Sequence, residues 1–315
     1  MRQYATAITL VGTLLLVSGK ASACRTTTCD RQDAPLSSCP PTDTCNTAGT
    51  PIFWPSTCVS TSVSAKGSEL RHIAADDVDG VKGMRSIVQD AFNQWTFVDC
   101  GNGSHPNFEV VTFPDVYCTD VTGDSGYKPA GPNYNVWIFR DYDWPYDNVG
   151  DEGAIAITTT QFSPTTGEIF DSDVEFNSWG NIFTIGLALP ALDEMDLPSV
   201  IQHESGHFLG LAHSQLDTAT MFASLSNGDA TRRTLEQDDV DSICAAYPPG
   251  KLNPTCDPEP RHGFSTECEF EKGCCTVAPG RSTGRHGSWG ALLVGLCLTA
   301  GVYRRKNRGS PKRNG

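Results

Sequence analysis

Apolar residues recur along this chain in two spacings, and each spacing predicts a different element. Val81, Met84, Val88, Ala91, Phe92 and Trp95 fall three or four apart, which predicts an amphipathic helix over roughly residues 76–97. CVSTSVS, residues 58–64, alternates around Val59, Thr61 and Val63, the pattern of a half-buried strand. NFEVVTF (107–113) and NVWIFRD (135–141) are short apolar strands, and the stretch between them, with GDSGYKPAGPNYN, reads as loop. GAIAITTTQF (153–162) ends at Ser163-Pro164, and GEIFDSDVEFNS (167–178) resumes as a strand. Two strands joined by so short a turn must be antiparallel, whereas the strand–helix–strand opening predicts a parallel pair.

Two more helices follow. In MDLPSVIQHESGHFLG (195–210), Asp196 suits the N-cap, Pro198 the first turn, and Gly210 the stop. TLEQDDVDSICAAYP (234–248) presents Leu235, Val240, Ile243 and Tyr247 on one side and stops at Pro248.

The 315 residues also carry ends unlike the middle. Residues 1–23 have Arg2, an apolar run and Ala21-Ser22-Ala23, the three parts of an export signal; Cys24 after the cut leaves lipid attachment as a second reading. Residues 24–50 have few large apolar groups and read as a Cys-rich extension, packed on the main domain and held by disulfides. Residues 51–249 form the main domain, and 250–275, rich in Pro, Gly and Cys, read as a linker or stalk. In residues 276–315 an uncharged apolar run, 287–303, is followed by RRKNRGSPKR. That is a marginal bilayer span with a basic cytoplasmic flank, so it would place the domain outside the cytoplasm, at a membrane or cell surface.

Of the 23 basic residues, two lie in 1–23 and eight in 276–315; the stretch between therefore holds 13 against 37 acidic residues. So acidic a body is a poor partner for phosphate backbones, and nucleic acid is not expected as a ligand. Of the thirteen cysteines, Cys297 lies in the apolar tail and the rest read as disulfide formers in an exported chain. No CxxC pair has zinc-ribbon spacing.

The chemistry is concentrated in QHESGHFLGLAHSQLDTATMFAS, residues 202–224. His203 and His207 are four apart on a helix, so both imidazoles project from one face and can grip one zinc ion. Glu204 beside them can act as general base without ligating the metal. Gly210 lets the chain leave the helix sharply, so that His213 can return as third ligand. Three protein ligands leave a fourth position open, as in catalytic rather than structural zinc.

His203-Glu204-Ser205-Gly206-His207-Phe208-Leu209-Gly210-Leu211-Ala212-His213 resembles the metzincin zinc motif, and Met221 falls where those proteins place the methionine of their Met-turn. Ser214, the eight-residue step to Met221, and Asp238-Asp239 in the closing helix resemble the matrixin branch. The resemblance covers residues 51–249. It implies an α+β zincin fold: a twisted five-stranded mixed sheet with one antiparallel edge strand (153–162), two helices behind it including the active-site helix, and a small C-terminal subdomain. It further implies that Asp238 and Asp239 brace the Met-turn, against the plainer reading of a solvated acidic face. Phe222, Ala223 and Ser224 would border the substrate pocket, with a loose apolar preference, and an extended peptide would pair with the edge strand.

The chain departs from animal matrixins in lacking a PRCGxPD segment, the nearest stretch being SSCPPTD around Cys39, and in having no histidine between His105 and His203, so no structural zinc is expected. Asp171, Asp173 and Glu175 alternate along a strand and suit calcium as an oxygen-ligand ion, or else form a solvated face. The tail resembles the myxobacterial C-terminal sorting signal, MYXO-CTERM, with Gly273-Cys274-Cys275 before the apolar run and the arginine cluster. The expectation is an exported or surface-anchored zinc metalloendopeptidase acting on extracellular proteins or peptides. A zinc-binding adhesion module and a cell-wall peptide hydrolase stand as the alternatives.

Overall fold

The computed structural model describes residues 26–27, 48–113, 116–117, 121, 127–146, 153–186, 188–250 and 256–266. The export signal, most of the extension 24–50, Cys39 with its neighbours, part of 250–275 and the whole tail 276–315 lie outside the described residues. No helix among the described residues is long and apolar enough to cross a membrane.

Five strands form one mixed sheet: β1 (Cys58–Val63), β2 (Glu109–Thr112), β3 (Val136–Phe139), β4 (Ala156–Phe162) and β5 (Ile169–Phe176), in the order β2-β1-β3-β5-β4. β1 runs parallel to β2 and β3, and β3 parallel to β5. β4 alone is antiparallel, paired to β5 with Thr158 opposite Val174, and its outer side is the free edge. Two short parallel strands, β6 (Phe183–Thr184) and β7 (Met195–Asp196), lead into the second helix. Helices α1 (Met84–Thr96) and α2 (Leu197–Phe208) pack together against the sheet, and α3 (Gln237–Ala246) closes the domain. This is the α+β architecture expected from the sequence, with the antiparallel strand at the expected edge.

The core is aromatic. Phe92 and Trp95 of α1, Trp137 of β3, Phe176 of β5 and Phe208 of α2 are fully buried, and Phe92 makes edge contacts with Trp137 and Phe208. Each such side chain contributes roughly 1.5–3 kcal/mol on removal from water. Met84, Val88, Ala91 and Phe92 form the inward stripe that the spacing predicts.

Two local expectations are corrected. The helix begins at Met84, not near residue 76, because Asp79 and Gly80 both take positive φ (50° and 81°) in a turn closed by the Val78–Val81 bridge. Consecutive left-handed residues cannot continue a right-handed helix. β1 is buried along its whole length rather than on one face. It is an inner strand between two parallel neighbours, where both faces are covered. Some of its polar groups find partners across the sheet: Thr61 Oγ1 accepts from Trp137 Nε1 at 2.7 Å, and the Ser60 carbonyl accepts from Asn135 Nδ2 at 2.8 Å, while the buried Ser62 hydroxyl has no hydrogen-bond partner among the described residues.

Disulfides Cys58–Cys256 and Cys100–Cys244 join segments 198 and 144 positions apart. Residues 256–266, inside the stretch read as a linker, pack on the domain: Ser60 N donates to Pro258 O, and the Phe264 ring lies against Phe113 and Tyr134. Thr26 and Thr27 are tied in as well, Thr26 N donating to Gly210 O and Thr27 bridging to Pro51.

Candidate active site and metal centre

The site is built on α2, whose two ends are fixed by short-range chemistry. Asp196 caps the N-terminus, its carboxylate accepting from Ser199 N at 3.0 Å, with Pro198 in the first turn. Arg233 pairs with the same carboxylate. At the C-terminus Gly210 takes φ +85°, Gly210 N donates to His207 O, and Leu211 N donates to Gly206 O. That is the Schellman closure, and a residue with a side chain would be strained at Gly210. The last carbonyls are buried, so distant groups must satisfy them: Trp54 Nε1 donates to Phe208 O, Tyr247 Oη to Leu209 O, and Thr26 N to Gly210 O.

The sharp exit at Gly210 returns the chain so that His213 meets His203 and His207. The Nε2 atoms of His207 and His203 are 3.0 Å apart, and those of His207 and His213 3.1 Å; all three ligand atoms lie within 4.8 Å of one another. This is the one such convergence among the described residues. His203 Nδ1 is 2.7 Å from Thr220 O and His207 Nδ1 is 2.9 Å from Leu211 O. A carbonyl only accepts, so both Nδ1 atoms carry the proton and both Nε2 atoms present lone pairs to the shared centre. Burial pulls all three imidazoles down to about 4, so they are neutral near pH 7. Neutral lone pairs converging at 3 Å repel one another unless a cation stands between them. The donor set therefore fits zinc, with three nitrogen ligands and an open side.

Glu204 lies beside the triad, 5% exposed, and Thr158 Oγ1 donates to its Oε2 at 2.5 Å. Burial raises its pKa; the nearby His207 and the Thr158 hydrogen bond oppose the rise.

Met221 lies 1% exposed beneath α2. A Cβ on Gly206 would stand 2.2 Å from Met221 Sδ and 3.0 Å from Trp95 Cζ2, so only glycine lets the turn approach the helix this closely. Ser214 N donates to Met221 O at 2.7 Å, closing the loop that follows the third histidine. Asp239 accepts from Thr220 N, Met221 N and Glu236 N, and Asp238 accepts from Ser214 Oγ. Both aspartates are buried, so they brace the methionine turn and are not a solvated face.

An open groove of about 1300 Å³ runs along β4 and past the triad. Phe222, Ala223, Ser224 and Leu225 form one wall and residues 153–162 the other, so the three expected pocket residues stand beside the histidines. Arg232, 7% exposed, lies under the first wall, donating to the carbonyls of Ala219, Phe222 and Asp217 and stacking on the Phe222 ring.

Asp171, Asp173 and Glu175 are all buried, which excludes the solvated face. Glu175 is taken up by Arg140 and Tyr146, Asp173 accepts from Val136 N, and Asp171 shares a hydrogen bond with Asp173.

Thr158, Gly206 as a packing glycine, and Arg232 are the site residues that sequence reasoning missed. Gly206 stands inside the quoted motif, but its partner Met221 is fifteen positions away; Thr158 and Arg232 carry no local signal at all.

Comparison with known proteins agrees with this geometry. Residues 139–248 match the Matrixin family model. Metalloendoproteinase 5-MMP of Arabidopsis thaliana is 38% identical over 98 residues, 30% of this chain and 26% of that protein. Metalloendoproteinase 1 of Glycine max is 28% identical over 167 residues, 52% of this chain and 45% of that protein. Metalloendoproteinase 1-MMP of Arabidopsis thaliana is 26% identical over 238 residues, 74% of this chain and 53% of that protein. The chain thus spans about a quarter to about half of the length of these relatives. The matched segment contains all three histidines, Glu204, Met221 and both bracing aspartates.

Proposed function

We propose that this protein is an exported zinc metalloendopeptidase that hydrolyses peptide bonds in extracellular proteins. The observation that carries the reading is the meeting of the Nε2 atoms of three neutral imidazoles beside the Glu204 carboxylate in a groove bordered by a free strand edge. His203, His207 and His213 would hold the ion. When bound, zinc supplies Lewis-acid polarisation of the scissile carbonyl and activation of water.

The chain's own residues supply the rest. The free edge of β4 offers backbone donors and acceptors to an extended peptide, which lies down as one more strand. Phe222, Ala223 and Ser224 border the side chain that follows the cut bond. Glu204 takes a proton from the attacking water at its carboxylate and delivers it to the leaving nitrogen. Met221 shapes the floor and touches no reacting atom.

Export is supported by the signal pattern of residues 1–23 and by the two disulfides. Attachment through residues 276–315, as a sorting signal or an anchor, rests on the tail's resemblance and composition alone. Calcium is a candidate second ion at the buried Asp171–Asp173 pair, by the donor chemistry of two adjacent carboxyls.

The test is digestion of an unstructured protein such as casein, with peptides read by mass spectrometry. Wild type should cleave and a chelator should stop it; Glu204→Gln should keep one zinc per chain and lose most turnover. Full cleavage by the Gln variant would overturn the mechanism. Zinc binding with no cleavage of any protein, or cleavage of peptidoglycan fragments alone, would favour the adhesion or cell-wall alternatives.

A further inference from the structure

Thr158 stands on β4, the strand whose outer edge borders the groove, and its Oγ1 donates to Glu204 Oε2 at 2.5 Å. The contact joins residues 46 positions apart on two different elements. Strand alternation explains the aim. Thr158 is paired opposite Val174, whose side chain is in the core, so the Thr158 side chain turns in toward α2, while Thr159 turns out and is exposed. Among the described residues no other group donates to the Glu204 carboxylate, which is 5% exposed. The length falls in the range of a hydroxyl bonded to an ionised oxygen.

We propose that Thr158 is a positioning residue for Glu204. Its hydroxyl holds Oε2, which fixes the carboxylate plane and leaves Oε1 as the oxygen that exchanges protons with water and leaving group. The strand that receives the peptide thereby also orients the base, so the docked bond and the proton acceptor share one rigid reference. A buried glutamate without this anchor would sample several rotamers, and misplacement by about 1 Å costs on the order of 10²-fold in rate. The proposal rests on the peptidase reading of the same site.

The experiment compares wild type with Thr158→Val, Thr158→Ala and Thr158→Ser, each checked for one zinc per chain and for thermal unfolding. Val keeps the shape, Ala removes both hydroxyl and methyl, and Ser keeps the hydroxyl. Val and Ala should lower kcat by about ten- to a hundredfold with KM within about twofold, and Ser should restore most of kcat. Crystal structures should show Glu204 in one rotamer in wild type and Ser, and in more than one in Val and Ala. Wild-type kcat in both Val and Ala, a Ser variant as slow as Val, or an unchanged single rotamer in Val would overturn the role of the hydroxyl. If zinc-loaded wild type cleaves nothing, the peptidase reading fails, and the rotamer comparison still tests Thr158.

Discussion

The Asp239 carboxylate accepts a hydrogen bond from the Met221 backbone N–H at 3.0 Å, and this ties the closing helix to the floor beneath the three histidines. The other carboxylate oxygen accepts from Thr220 N at 2.8 Å, and the Thr220 carbonyl in turn holds the His203 Nδ1 proton. A residue on α3 thus sets the tautomer of one of the three converging histidines through one peptide unit.

Replacing Asp239 by Asn puts an amide NH2 against one of these N–H groups and leaves a buried donor unpaired. The cost should be about 1–3 kcal/mol. Urea unfolding should show it as a lower midpoint, and competition with a chelator should show weaker zinc retention. An Asn variant with wild-type stability and zinc affinity would mean that the brace carries no strain of the site.

Gly206→Ala should be poorly tolerated even though alanine is the better helix former. The added methyl meets Met221 Sδ at 2.2 Å and Trp95 Cζ2 at 3.0 Å inside a packed interior. Overpacking of this kind costs about 1–3 kcal/mol. Pairing it with Met221→Ala, which vacates the space, should recover part of the loss, and a double-mutant cycle by thermal unfolding measures that coupling.

The Asp171–Asp173 pair should make stability fall as pH rises from about 4 through neutrality. Burial pushes Asp171 up to about 7, and Asp173, beside it, is raised well above the carboxylate range by burial and by its neighbour's charge. The folded protein keeps a proton that the unfolded chain releases near pH 4. The contribution is therefore complete below about pH 4 and is lost as pH rises through about 7. Melting temperatures between pH 5 and pH 8 in calcium-free buffer should drop, and Asp171→Asn should drop less. Equal slopes in the two proteins would refute this origin of the pH dependence.

Removing the Cys100–Cys244 disulfide with a pair of serines should cost about 3–5 kcal/mol, since the bridge closes a loop of 144 positions. It joins the residues just past α1 to α3, the helix that carries Asp238 and Asp239. Calorimetry should therefore show zinc-loaded protein melting lower, with the metal lost in the same transition.

Much of the site is legible in the chain because its parts are close in sequence. Asp196, Pro198, His203, Glu204, His207 and Gly210 act within about four helical turns, and caps, periodicity and a glycine stop are local effects. The strands also follow from short patterns, and the antiparallel pairing from one turn at Ser163-Pro164, whereas the edge position of that strand comes from the resemblance. The start of α1 is missed because Val81 falls in step with the helical pattern although it stands just past a turn that Asp79 and Gly80 make with positive φ. β1 is misjudged as half-buried because alternation reports side-chain polarity, while burial depends on what lies across both faces. Asp171, Asp173 and Glu175 look like a charged face for the same reason. Their partners Arg140, Tyr146 and Val136 come from other segments.

The sequence by itself determines the histidine triad: the spacing of His203, His207, Gly210 and His213 is a property of one helix and its exit, governed by a 3.6-residue period. Only the tertiary structure decides how that set is held. Thr158 reaches Glu204, Met221 lies under Gly206, and Asp239 grips the turn because sheet register and helix packing bring residues 15 to 46 positions apart into contact. Such contacts have no period along the chain, since they depend on side-chain volumes and strand order that no local window contains.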